Sequence, residues 1–197
     1  MTAPIRWAIA LACAFAVGVA LSFGQTYGPE FLAPLFNSGA PVAAVAGLAA
    51  FAARRWWTSA LIGAIAAPVL VAGYYVTAEL RGFASSASWV ALWATAGVVV
   101  GAAMGLAVWA LLSRTPTFAR AAGAALWPGI AIGEAAHGLT RIADTTPVGY
   151  WWAQAALGLV VLVAVAWKHL PTWPGRLLAV GFTLAFAAAT YVAYGVV

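Results

Sequence analysis

The chain has 197 residues, 65% hydrophobic and only 7% charged, against roughly 25% charged in an ordinary soluble domain. So few charges cannot cover a water-soluble fold of this size, whereas a bilayer accepts apolar surface and reads apolar stretches of about 18 or more residues as spans. The net charge of +5 comes from nine Lys and Arg against four acids, and because the basic residues are scattered at segment ends with no patch or stripe, nucleic acid is excluded as a partner.

The expected fold is therefore all-α, a polytopic transmembrane helix bundle forming a single domain over residues 1–197, with the lipid bilayer as its surroundings. Its first apolar segment, about residues 5–24, follows Arg6 and lacks a small-residue cleavage site before GQTYGPEF, so it reads as a retained span. It holds the only cysteine, Cys13, which excludes an internal disulfide and a clustered metal site, and no cofactor is expected. The second segment, about 34–53, is the weakest, short and opened by Pro34 and Pro41; it reads as a span or as a re-entrant element. Further segments follow at about 57–79, 88–112, 120–142, 148–167 and 175–196, for a total of seven.

Basic residues accumulate on the cytoplasmic side of short loops. With the N-terminus inside, that side holds Arg6, Arg54, Arg55, Arg114, Arg120, Lys168 and Arg176, and the outer side only Arg81 and Arg141. Seven spans with the C-terminus outside follow. Trp56, Trp57, Trp167 and Trp173 then border the inner face, and Trp89, Tyr150, Trp151 and Trp152 the outer one, as interfacial belts. Small residues mark close helix contacts in lipid: the alanine ladder Ala8, Ala10, Ala12, Ala14 and Ala16 on span 1, and Gly97, Gly101 and Gly105 on span 4. Either set serves packing within the bundle or docking of a partner membrane subunit. A shift of 60 residues lays Arg54, Gly63, Ala64, Pro68, Gly73 and Arg81 over Arg114, Gly123, Ala124, Pro128, Gly133 and Arg141, a pattern compatible with a parallel repeat.

Three of the four acids, Glu30, Glu79 and Asp144, fall in outer loops; the fourth, Glu134, lies inside span 5 in the stretch GEAAHGLTR. At 100° per residue, Glu134, His137 and Arg141 share one helix face. An ionised side chain at this depth costs about 2.5–3.5 kcal/mol and persists when it is paired, neutral or solvated in a cavity. The remaining polar side chains gather in the outer halves of their spans. Gln25, Asn37, Tyr74, Tyr75, Trp152 and Gln154, with Glu134, His137 and Arg141, are thus the expected substrate-binding residues of an outward-facing pocket. A carboxylate among aromatic faces points to a small cationic or heteroaromatic ligand, bound or transported. Two alternatives stand beside this reading. One is a structural or accessory subunit docking a partner through span 1 or span 4; the other is an intramembrane enzyme using Glu134 and His137, although HExxH, CxxC, GxSxG and phosphate-cradling loops are all missing.

The motifs SFGQTYGPEFLAPLFNSGAP, RR after span 2, GYY and LRGF around the end of span 3, and GE within span 5 resemble an uncharacterised family of small multi-spanning membrane proteins from actinobacteria. The resemblance covers essentially the whole chain and implies a bacterial plasma-membrane location and no particular chemistry. In length, alanine-spaced first helix and aromatic outer region the chain is also similar to the substrate-binding membrane subunits of energy-coupling-factor importers. It departs from them in showing seven apparent spans rather than six and no diagnostic ligand motif.

Overall fold

The computed structural model describes residues 2–196, and among them every regular element is helical. Eight α-helices follow one another: α1 (Ala3–Tyr27), α2 (Ala33–Phe36), α3 (Gly39–Ala50), α4 (Trp56–Leu80), α5 (Ala87–Leu112), α6 (Thr117–Arg141), α7 (Val148–His169) and α8 (Trp173–Val196), with one 3-10 turn at Glu30–Leu32. Six of the seven expected segments match single helices to within a few residues. The second does not. Residues Glu30–Phe36 and Gly39–Ala50 are bent by 54° across a break at residues 37–38.

Five helices, α1, α4, α5, α7 and α8, are long and apolar enough to cross a membrane, and a sixth span results if the bent pair counts as one. The chain is a multi-pass membrane protein. α6 has 25 residues but carries Arg120, Glu134, His137 and Arg141, and it is not among those five. Both α4 and α6 continue through an internal proline, Pro68 and Pro128 respectively, so neither proline ends its helix.

The chain divides into two compact units, and the division passes through the broken second segment. Unit 1 holds residues 1–29, 35–37 and 41–109. Here α4 is clasped between α1 and α5 by glycines that bring backbones into contact. A Cβ on Gly18 would strike the Leu70 carbonyl, one on Gly73 the Phe15 carbonyl, one on Gly63 the Gly101 carbonyl and one on Gly101 the Gly63 carbonyl. Gly105 lies in the same way against Ser59. The glycine ladder of α5 therefore packs against α4, as the small-residue rule for lipid-embedded helices requires. Ala14, Ile62, Ala66, Leu70 and Val108 fill the core of this unit. At the end of α1, the Phe36 ring occupies the space that side chains on Gly24 and Gly28 would need.

The alanine ladder of α1 separates into two stripes. Ala14, with Gly18 and Ser22, is buried, whereas Ala8, Ala12 and Ala16 are exposed, because positions two apart on a helix point about 200° away from each other.

Unit 2 holds residues 30–34, 38–40 and 110–197. α6 lies at its centre, packed on α7 and α8. Gly129 and Gly133 of α6 meet the α8 backbone at Thr183 and Ala187, and Gly138 lies beneath the Trp151 ring. Ala121, Ala124, Leu162, Ala166, Leu170 and Ala179 form the core at the opposite end. The aligned glycines of the 60-residue shift meet non-equivalent partners: Gly73 contacts α1, which precedes it, and Gly133 contacts α8, which follows it.

The glycine contacts generate a paired expectation. Gly101→Leu must separate two touching backbones and destabilises the protein by about 1–3 kcal/mol or more, whereas Gly181, with nothing within 4 Å of its Cβ position, accepts alanine with unchanged or higher stability. Thermal unfolding of both variants in detergent checks the contrast.

Candidate functional site

Glu134 is 2% exposed, on the α6 face turned toward α7 and α8. Five donors converge on its carboxylate. Oε1 accepts the Gly39 amide at 2.7 Å and the Tyr194 hydroxyl. Oε2 accepts the Ser38 hydroxyl at 2.8 Å, the Gln154 side-chain amide at 3.0 Å and the Ala40 amide at 3.1 Å. The Gly39 N–H is shared with the Tyr194 oxygen at 3.1 Å.

Three of these donors belong to the start of α3. Ser38 takes the position before the first helical residue, and Gly39 and Ala40 present two of the orphan N–H groups that every helix start leaves without an internal acceptor. Pro41 comes next and has no N–H to satisfy. A carboxylate at such a position also meets the positive end of the helix dipole. Glu134 thus supplies from another helix the acceptor that a capping side chain normally provides locally.

The other donors are themselves held. The Tyr150 hydroxyl donates to Gln154 Oε1 at 2.6 Å, and Gln154 Nε2 also donates to the Ala131 carbonyl at 3.1 Å. Two acceptors on one side and a hydroxyl donor on the other fix which way the amide faces. Trp127, seven residues before Glu134 and on the same face of α6, donates its indole N–H to the Ala40 carbonyl at 3.0 Å. Ala40 is therefore gripped through both its N–H and its C=O by one helix.

His137 lies one turn beyond Glu134, its ring centroid 5.5 Å from that of Tyr194 and 6.0 Å from that of Tyr191. It is not among the donors to the carboxylate, and its Nδ1 is buried without a hydrogen-bond partner. Arg141 is exposed, with Nε donating to the Tyr191 hydroxyl at 3.2 Å, an oxygen that Thr140 also reaches. Trp152 is 64% exposed, while its neighbour Trp151 is buried and donates to Thr146 at 2.8 Å.

Of the nine residues expected to bind a ligand, unit 2 brings Glu134, His137 and Gln154 together, with Arg141 at the surface end of the same helix face. Gln25, Asn37, Tyr74 and Tyr75 belong to unit 1. Gln25 and Asn37 are exposed, and Tyr74 and Tyr75 form an edge-to-face pair at 5.2 Å. In that unit the polar focus is Arg81, whose guanidinium donates to the Ser22 carbonyl at 2.8 Å and to Thr26 and lies over the Phe23 ring. Sequence reasoning missed Ser38, the Gly39 and Ala40 amides and Tyr194 as partners of Glu134. Among the described residues, no group of three or more His, Cys, Asp or Glu side chains converges as a metal site would require.

Over its full length, residues 1–197, the chain matches the model of a family of unknown function, DUF6518, and belongs to that family. No curated protein and no solved structure matches it.

A graded series tests the geometry. Tyr194→Phe removes one donor and lowers stability by about 1.5–3 kcal/mol, the range for a hydrogen bond to a charged group. Glu134→Gln turns an acceptor-only group into one that must aim an N–H₂ at existing donors, and so costs more. Calorimetric or fluorescence unfolding in one detergent gives the order wild type, Tyr194→Phe, Glu134→Gln.

Proposed function

We propose that the chain is a single seven-span domain of a bacterial plasma membrane, N-terminus inside and C-terminus outside, that binds or helps transport a small molecule reaching it from the outer side. The observation that carries this reading is the buried carboxylate of Glu134 at the start of a broken helix. Discontinuous helices whose free ends face a charged group form the ligand and ion sites of many carriers, because unwound backbone is tolerated at membrane depth only where protein groups or a cavity satisfy it.

The chemistry follows from competition for one carboxylate. With five donors on it, Glu134 has no acceptor capacity left for a ligand. A small organic cation, or a proton, engages it only by displacing donors, above all those of Ser38, Gly39 and Ala40. Occupancy by the cation and capping of α3 then exclude each other, which couples binding to release of the helix start. Trp127, His137 and Tyr194 supply aromatic faces beside the carboxylate, suited to a cationic or heteroaromatic ligand. Arg141 and Trp152, of the same unit, complete the proposed outer path.

A second reading, an accessory subunit in which Glu134 only locks the fold, draws on the outward stripe Ala8, Ala12 and Ala16. Thermal stability of the purified protein against a panel of cationic, neutral and anionic heteroaromatic compounds separates the two. The first reading expects a cation to stabilise wild type and to lose that effect in Glu134→Gln. Equal or absent effects in the two proteins contradict it. A stoichiometric membrane partner that co-purifies with wild type and is lost in Ala12→Leu/Ala16→Leu favours the second.

A further inference from the structure

We propose that the corner of unit 2 where α6 and α8 begin and α7 ends binds the phosphate of an anionic phospholipid. Two guanidinium groups are anchored there. Arg120 Nη1 donates to the His169 carbonyl at 3.2 Å, and Arg176 Nε donates to the next carbonyl along the chain, that of Leu170, at 2.9 Å. Both cations are thus anchored on consecutive carbonyls at the end of α7, and Lys168 precedes them on that helix. Gly175 abuts Thr117, so the first turns of α6 and α8 are also adjacent at this corner.

The end of α7 accounts for only part of that charge. A helix C-terminus carries about −0.5 elementary charge, against two guanidiniums and a neighbouring ammonium. Neither guanidinium contacts a carboxylate among the described residues. Glu134 is fourteen residues further along α6, about 21 Å at 1.5 Å per residue, and Asp144 follows the far end of that helix. Arg120 Nε is buried with no partner. The corner has two forked donors, a surplus of positive charge and no anion of its own.

Its surroundings choose a lipid over free phosphate. The Arg176 guanidinium lies 4.0 Å from the centroid of the Trp167 ring and 5.4 Å from that of Trp173, and these indoles are 65% and 69% exposed. Exposed indoles beside cations are the signature of the headgroup level, where a phosphate can accept forked donors while the glycerol and upper acyl chain lie on the rings.

The test is thermal unfolding of the protein in neutral detergent, titrated with phosphatidylglycerol, phosphatidylcholine or inorganic phosphate. Phosphatidylglycerol is expected to stabilise wild type saturably and the other two are not. Arg120→Gln/Arg176→Gln should bind phosphatidylglycerol about thirtyfold more weakly, while Arg54→Gln/Arg55→Gln, which removes as much charge from unit 1, stays within about twofold of wild type. Equal losses in the two double variants, equal stabilisation by phosphatidylcholine, or full stabilisation by inorganic phosphate overturns the proposal. If the first double variant fails to fold, Arg176→Lys keeps the charge without the fork. Weaker phosphatidylglycerol binding in it supports the site, and unchanged affinity overturns it.

Discussion

The carboxylate of Glu134 and the first amides of α3 satisfy one another, and the local architecture of unit 2 depends on that exchange. A helix that begins beside apolar neighbours exposes N–H groups that no water reaches, and a carboxylate in the same place lacks solvation. Either alone would be costly. Together, with Ser38, Gln154 and Tyr194, they leave no acceptor or donor of the set unmatched. The same constraint fixes neighbours that never touch the carboxylate. Tyr150 sets the amide of Gln154, Trp127 holds the Ala40 carbonyl, and Gly133 lets α8 come close enough for Tyr194 to reach across.

Close helix approach is the second recurring device, and it is met differently in the two units. In unit 1, Gly63 and Gly101 between α4 and α5, and Gly18 and Gly73 between α1 and α4, place backbone against backbone, and polar contacts between α1 and α4 gather at Arg81. In unit 2, glycine contact between α6 and α8 occurs beside a hydrogen-bonded cluster. On α6, Glu134 belongs to that cluster, His137 lies beside the Tyr191 and Tyr194 rings, Arg141 reaches the Tyr191 hydroxyl, and Arg120 meets the His169 carbonyl at the other end of the helix.

Helix positions were legible in the sequence because apolar length and charged punctuation are local signals; α4, α5 and α7 begin and end within two residues of where those signals place them. The weakness of the second segment was also visible, in its short length and in Pro34 and Pro41. The partnership with Glu134 was not. Two of its donors are backbone amides, which carry no residue signature, and Tyr194 lies sixty residues away on a helix whose pairing with α6 depends on tertiary packing. Gln154 was among the residues that the sequence singled out; Tyr194 was not.

Capping of α3 by the Glu134 side chain from α6 is the central claim, and amide hydrogen exchange at Gly39 and Ala40 measures it most directly. The account predicts protected amides in wild type and exchange at least about tenfold faster in Glu134→Gln, since about 1.4 kcal/mol of lost protection is a factor of ten, while amides in the middle of α4 keep their rates. Equal exchange at Gly39 and Ala40 in the two proteins would contradict it.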